Sequence, residues 1–77
     1  MKDYKIDVIT KNIAARREEI AGYEINIFNY EYMRGKAADE AMQKSLDAGI
    51  AENIREMNKI KMVLEALEAQ LVSLASF

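Results

Sequence analysis

The chain has 77 residues, a formal net charge of −2 and no cysteine, histidine, proline or tryptophan. Without cysteine it has no disulfide, and without histidine it lacks the commonest metal ligand and the usual general base, so we expect no cofactor, no metal and no enzyme activity. Its 11 basic and 13 acidic residues are well mixed, the first 20 are too charged for a secretory signal, and no stretch is apolar enough for a membrane span, which favours a cytoplasmic protein.

A first long helix is predicted over about residues 3–34, with Asp3 or Asp7 near its start. Its apolar residues recur at alternating steps of three and four, which is a heptad seam. The members of this seam are Ile6, Ile9, Ile13, Arg16, Ile20, Tyr23, Ile27 and Tyr30. Gly35 follows Arg34, and a glycine just past a helix end commonly adopts the left-handed conformation. We therefore expect the helix to stop there and a short turn to occupy about residues 35–38.

A second helix is predicted over about residues 39–75, with Asp39 as its N-cap and fraying over residues 73–77. It carries a second seam in which Asn53 is the only polar member. The members are Leu46, Ile50, Asn53, Met57, Ile60, Leu64, Leu67, Leu71 and Leu74. Gly49 lies inside this helix and is a candidate kink, but the seam keeps its register across it, so we expect the helix to continue.

The two seams predict one all-α domain, an antiparallel two-helix hairpin that resembles a coiled coil. With a turn centred near residue 36 or 37, facing residues have numbers that sum to about 73, so Ile27 meets Leu46. Two consequences follow from this expected register. Arg16 and Asn53 come within about one turn of each other as a polar layer. The residues that overhang the first helix without a partner are Leu71, Leu74 and Phe77.

A second apolar stripe runs along the first helix, roughly opposite its seam, and consists of Ala21, Ile25, Phe28 and Tyr32. A two-helix hairpin covers only one stripe, and a contiguous exposed apolar patch marks an interface. We expect this stripe, together with Leu71, Leu74 and Phe77, to mediate self-association into a homo-oligomer, most simply a dimer forming a four-helix bundle. The alternative is that the stripe docks directly onto a different protein.

A third face of the first helix carries poor helix formers at mid-helix positions. Its residues, with the two tyrosines that flank it, are Gly22, Tyr23, Asn26, Asn29, Tyr30 and Met33. Glycine allows close approach, amides donate and accept hydrogen bonds, and tyrosine suits interfaces, so this face is the candidate partner-binding surface. A merely solvated face is the other interpretation. The next candidate is the acidic surface of the second helix, Asp47, Glu52, Glu56 and Glu65.

Other functions are indicated less directly. Lys11, Arg16 and Arg17 form the only basic cluster, which a dimeric helical bundle could use to bind nucleic acid. Glu18 and Glu19 follow immediately and neutralise much of that charge. A further alternative is an oligomer that sequesters a small ligand between its subunits.

One segment carries a family resemblance. Arg17-Glu18-Glu19-Ile20 followed by Tyr23-Glu-Ile-Asn26-Ile27-Phe-Asn29-Tyr30 resembles a pattern in short phage-encoded helical-hairpin proteins of uncharacterised role. The run Leu-Glu-Ala-Leu-Glu-Ala-Gln-Leu at 64–71 is similar to their C-terminal half, although it is common in coiled coils. The resemblance implies a phage or prophage accessory protein. Such proteins often bind a host protein, so it also implies a non-catalytic module that inhibits or redirects a host protein or defence complex.

Overall fold

The computed structural model describes residues 2–76, which form two antiparallel helices and contain no strand. Helix α1 spans Lys2–Lys36, helix α2 spans Glu40–Ala75, and residues 37–39 connect them. The Cα trace is a rod 57 Å long and 14 Å wide in both other directions. The predicted all-α hairpin is confirmed, and α2 continues through Gly49 without interruption.

The connection between the helices is closed by local hydrogen bonds. The Asp39 carboxylate accepts from the Ala41 N–H at 2.8 Å, which is the N-cap that the sequence predicts. The Gln43 side-chain amide donates to the Ala37 carbonyl at 2.7 Å and so satisfies one of the carbonyls left free beyond the end of α1. The expectation that Gly35 adopts the left-handed conformation was wrong. Helix α1 runs on to Lys36, and no glycine among residues 2–76 has a positive φ.

The predicted register between the helices was wrong by about one heptad. Asn26 bonds Asn53, and the Tyr30 ring lies over Gly49, so the numbers of facing residues sum to 79 in both pairs. The residue numbers of the Arg34–Asp47 pair sum to 81, and those of the Arg17–Glu68 pair sum to 85. The connection is centred on residue 38, later than expected. Helical side chains also lean towards the N-terminus of their own helix. The sum of the numbers of two contacting residues therefore rises by about one for each helix. Because each seam repeats every seven residues, the next register that sets one seam against the other has a sum about seven higher than the expected 73.

This register gives the end of α2 partners inside the hairpin. Leu71 lines a groove with Ile13, and Leu74 lines another with Ile9. Both leucines are half-buried, so the expected overhang at these positions does not exist. Phe77 lies outside the described residues.

The register also separates Arg16 from Asn53. Asn53 meets Asn26, and Arg16 precedes Asn26 by ten positions along the helix, which is about 15 Å at the rise of an α-helix. The expected polar layer of Arg16 and Asn53 was therefore wrong. Asn53, the polar member of the α2 seam, instead pairs with the exposed Asn26 beside the α1 seam, and its own amide donates to the Gly49 carbonyl at 2.8 Å.

The core of the hairpin is thin. The buried hydrophobic residues among those described are Ile9, Ile13, Ile27, Leu46 and Met57. The chain exposes 5727 Å² of surface. A compact monomer of its mass, 8.8 kDa, exposes about 4,800 Å². The excess of roughly 900 Å² is comparable to what one partner buries in a standard protein–protein interface.

Gly49 has a packing role that its place in the sequence does not show. A Cβ added at Gly49 would lie 3.2 Å and 3.3 Å from two atoms of the Tyr30 ring. The absence of a side chain at Gly49 thus lets Tyr30 cross the seam and pack on the backbone of α2. This contact explains why Gly49, a poor helix former, occurs in the middle of α2 although the helix has no kink there.

Candidate interaction surfaces

The two long sides of the hairpin differ in chemistry. One side, here the ion-pair side, is crossed by two salt bridges between the helices, Arg17–Glu68 at 3.3 Å and Arg34–Asp47 at 2.9 Å. The hydrogen bond from Arg34 to the Asp47 carboxylate, followed by the attraction between their charges, raises the pKa of Arg34 above its usual value. Glu24 and Lys61 line a groove on this side, so charged groups border most of its length.

The opposite side carries the six residues that the sequence marks as partner-binding. They line two adjoining shallow grooves that share Asn26, and we call the pair of grooves the amide groove. The residues of the amide groove are Gly22, Tyr23, Asn26, Asn29, Tyr30 and Met33. Glu19 is its single charged lining residue. Helix α1 alone supplies the whole groove, because steps of three and four place these positions on one flank of the helix.

Within the amide groove, the six residues are not equally free to bind. The Asn26 amide donates to Asn53 across the seam at 3.4 Å, which is a long and weak hydrogen bond. Tyr30 is held over Gly49. By contrast, the exposed Asn29 amide makes no hydrogen bond among the residues described, and a Cβ at Gly22 would meet no atom within 4 Å. Asn29 and the backbone at Gly22 are therefore the parts open to a partner.

The second apolar stripe lies on the face of α1 that points away from α2, and we call it the outer patch (Ala21, Ile25, Phe28 and Tyr32). Ile25 and Phe28 are each 57% exposed and Tyr32 is 67% exposed. The Lys36 amine lies 5.1 Å from the centre of the Tyr32 ring, within the range of a cation–π interaction. The hairpin itself leaves this apolar surface uncovered.

The basic cluster is neutralised within the hairpin. Lys11 pairs with Asp7 at 3.1 Å, Arg16 with Glu19 at 2.6 Å, and Arg17 with Glu68. Counterion release from phosphates requires cations that can replace counterions, and each of these three already faces a carboxylate. The geometry therefore gives the nucleic-acid alternative no support.

The acidic residues suggested on α2 do not form one surface. Asp47 and Glu65 belong to the ion-pair side, where Asp47 holds Arg34 and Glu65 lines a groove with Arg17. Glu52 and Glu56 lie elsewhere on the helix and pair with Arg55 and Lys59. The expectation of a single acidic face was therefore wrong.

A groove at the open end of the hairpin was not predicted from the sequence. Tyr4, Val8 and Ile9 of α1 line it together with Ser73 and Leu74 of α2. Tyr4 is 70% exposed. The spacing of Tyr4 and Val8, one turn apart and off the seam, was the available signal. Without the correct register, nothing in the sequence brought the end of α2 to these two residues.

Within residues 2–76, no three acidic residues gather as metal ligands would, and no helix combines the length and apolar character needed to cross a membrane. No protein-family model and no curated protein matches the sequence, and no solved structure matches the fold.

Proposed function

We propose that this protein is a small non-catalytic interaction module that binds another protein through the amide groove and self-associates through the outer patch. The resemblance of residues 17–30 to phage-encoded helical proteins favours a host protein or defence complex as the target, met in the host cytoplasm and inhibited or redirected by binding. The amide groove and the outer patch lie on different faces of α1, so one hairpin can use both at once.

The observation that supports the proposal most is that Gly22 and Asn29 lie on the same exposed flank of α1. Each residue is a poor helix former, and neither is used by the hairpin: the space over Gly22 is empty and the Asn29 amide has no partner among the residues described. Solvent alone does not favour such residues over alanine or glutamine in mid-helix. A partner whose backbone approaches Gly22 and hydrogen-bonds to the Asn29 amide would favour glycine and asparagine at these positions.

The lining of the groove suggests the chemistry of the partner. Tyr23, Tyr30 and Met33 offer apolar contact area, the asparagines offer uncharged hydrogen-bonding groups, and Glu19 is the only charge. Such a surface suits a protein segment of low net charge that presents its own amide or backbone groups. A polyanion would be disfavoured there, because no cation lines the groove and the neighbouring Arg16 is already paired with Glu19.

The experiment that tests the proposal is a capture of partners from host lysate, followed by mass spectrometry, with variants that change the groove alone. Gly22→Gln adds uncharged bulk where the structure has room, so the hairpin should stay folded while close approach is blocked. Gly35→Gln is the matched control. It also replaces an exposed helical glycine with free space around it, but it lies outside the amide groove.

We expect a protein that is captured by the original chain and by Gly35→Gln but lost with Gly22→Gln and with Asn29→Ala. Circular dichroism should show both glycine variants as helical as the original chain. Capture of the same proteins by all four chains would refute the amide groove as the binding surface. Retention of nucleic acid in the same experiment, weakening steeply with salt, would instead favour the alternative that uses Lys11, Arg16 and Arg17.

A further inference from the structure

The two ends of the outer patch carry opposite charges that the hairpin leaves unpaired. Glu18 lies one turn before Ala21 and forms no ion pair among the residues described, whereas its neighbours Arg17 and Glu19 are both paired. At the other end, the Lys36 amine is held over the Tyr32 ring and has no carboxylate partner within residues 2–76. These two charges are about five turns apart and lie along one edge of the patch, which has a negative end and a positive end there. Glu24 and Glu31 border the other edge and also form no ion pair among the residues described.

The spacing of the patch is symmetric about its own midpoint. Turning α1 end for end about a point between residues 26 and 27 exchanges Ala21 with Tyr32 and Ile25 with Phe28. Two patches placed face to face in this antiparallel way cover each other completely. The same operation sets Glu18 of each copy beside Lys36 of the other along one edge, and Glu24 beside Glu31, two like charges, along the other edge. A parallel arrangement would instead bring Glu18, and likewise Lys36, to the level of its own copy.

From this symmetry and charge we propose that the occupant of the outer patch is a second copy of the chain, packed antiparallel, with a two-fold axis near residues 26 and 27. The interface is isologous, as in most homodimers. The proposal rests on the proposed self-association and specifies its geometry. Since the patch faces away from α2, the two α1 helices become the inner pair and the two α2 helices the flanks, rather than sharing a square four-helix core.

The size of the patch sets the strength of the dimer. Phe28 and Tyr32 each leave more than half of the side chain exposed, which for aromatic residues is about 100–150 Å². With Ile25 and Ala21, the patch amounts to roughly 400 Å² per copy, so a dimer buries about 800 Å² in total, less than a standard interface. We therefore expect dissociation in the micromolar range rather than an obligate dimer.

The antiparallel geometry has a consequence for partner binding. A two-fold axis perpendicular to the paired helices leaves both amide grooves on the same side of the assembly, running in opposite directions. A parallel dimer would place them on opposite sides. The antiparallel dimer thus offers a target two sites on one surface, and binding both raises the apparent affinity through effective concentration.

Disulfide trapping tests the orientation directly, because the chain has no cysteine of its own. In the antiparallel dimer, position 21 of one copy lies beside position 32 of the other. The two copies of position 21 are eleven residues apart, about 16 Å at the helical rise, which is beyond the reach of a disulfide. We expect a mixture of Ala21→Cys and Tyr32→Cys chains to form the mixed disulfide, and neither variant to cross-link with itself.

Charge exchange provides a second test that leaves the apolar contacts intact. Glu18→Lys and Lys36→Glu should each weaken the dimer roughly three- to tenfold, since each places two like-charged pairs at the interface. An equimolar mixture of the two variants should form heterodimers in native mass spectrometry, because both pairs between positions 18 and 36 are then opposite in charge. The double variant should regain the original dissociation constant.

The outcomes separate this geometry from self-association in general. Self-cross-linking of Ala21→Cys, or charge variants that dimerise unchanged, would overturn the antiparallel arrangement while leaving a dimer. A chain that sediments as a folded monomer at about 100 µM and forms no disulfide in any mixture would overturn the self-association as well. Circular dichroism of each variant verifies that the hairpin is intact.

Discussion

The ion-pair side and the groove side flank the same apolar seam, yet they close it by different means. On the ion-pair side, Arg17 and Arg34 reach across to carboxylates of α2. On the groove side, the crossing contacts are an amide pair and the Tyr30 ring over Gly49. Solvent-exposed salt bridges therefore join the helices on one flank, whereas ring packing and uncharged polar groups join them on the other.

This contrast has an energetic reason. Exposed salt bridges contribute little to stability because water screens them, so the ion-pair side adds solubility and alignment more than free energy. An aromatic ring packed on backbone excludes water and contributes more. The groove side therefore carries more of the stability of the hairpin and also the groups open to a partner. Four sets of substitutions test this comparison.

The largest effect is expected at Tyr30. Tyr30→Ala removes the ring that packs on Gly49 and should lower the free energy of unfolding by about 2 kcal/mol, below the range for fully buried aromatics because Tyr30 is half-buried. Tyr32→Ala is the control, since Tyr32 points to solvent and should change stability by less than about 0.5 kcal/mol in the monomer. Urea unfolding of dilute samples measures both. Equal losses would contradict the packing role of Tyr30.

The glycines should respond in opposite ways. Gly22→Ala should stabilise α1 by about 0.5–1 kcal/mol, because alanine favours helix and nothing near Gly22 obstructs a methyl group. Gly49→Ala has the same gain in propensity but forces the Tyr30 ring to move, so thermal unfolding should show no net stabilisation. A Gly49→Ala chain that is stabilised as much as Gly22→Ala would show that the ring relocates without cost.

Two adjacent arginines compare the sides most directly. Arg16 has its Nε buried without a hydrogen-bond partner, and its side chain is only 26% exposed. Arg16→Met should raise stability by about 1 kcal/mol, because it keeps the packed stem and removes the unsatisfied group. Arg17→Met, on the exposed ion-pair side, should change stability by less than about 0.5 kcal/mol. If calorimetry shows Arg16→Met to be the more destabilised of the two, the Glu19 contact outweighs the buried nitrogen.

The smallest effect is expected on the ion-pair side. Asp47→Asn breaks the pair with Arg34 and should destabilise slightly in low salt and not at all in high salt. The pKa of Arg34 is raised in the folded chain, so its contribution is fully present below its unfolded pKa and is lost only as the pH rises through the folded value. The loss on mutation should therefore be equal at about pH 6 and about pH 9. A salt-independent effect would contradict the screened character of this side.

The candidate surfaces could be located from sequence because they depend on α1 alone. Residues three and four apart share a helix face whatever the helix packs against, so both the amide groove and the outer patch were predictable from spacing. What differs within the groove could not be predicted. Asn26 and Tyr30 are engaged by α2 and Asn29 is not, and this depends on which residues of α2 stand opposite.

The sequence by itself determined the two helices, the Asp39 cap and the two apolar seams, since these follow from local propensity and a period that a single helix imposes. Only the tertiary structure decided the register. A heptad repeat matches itself again after seven residues, so two seams fit almost equally well at several offsets, and the connection at residues 37–39 with the lean of the side chains selected one. That choice moved Leu71 and Leu74 into the hairpin, separated Arg16 from Asn53, and brought Tyr30 to Gly49.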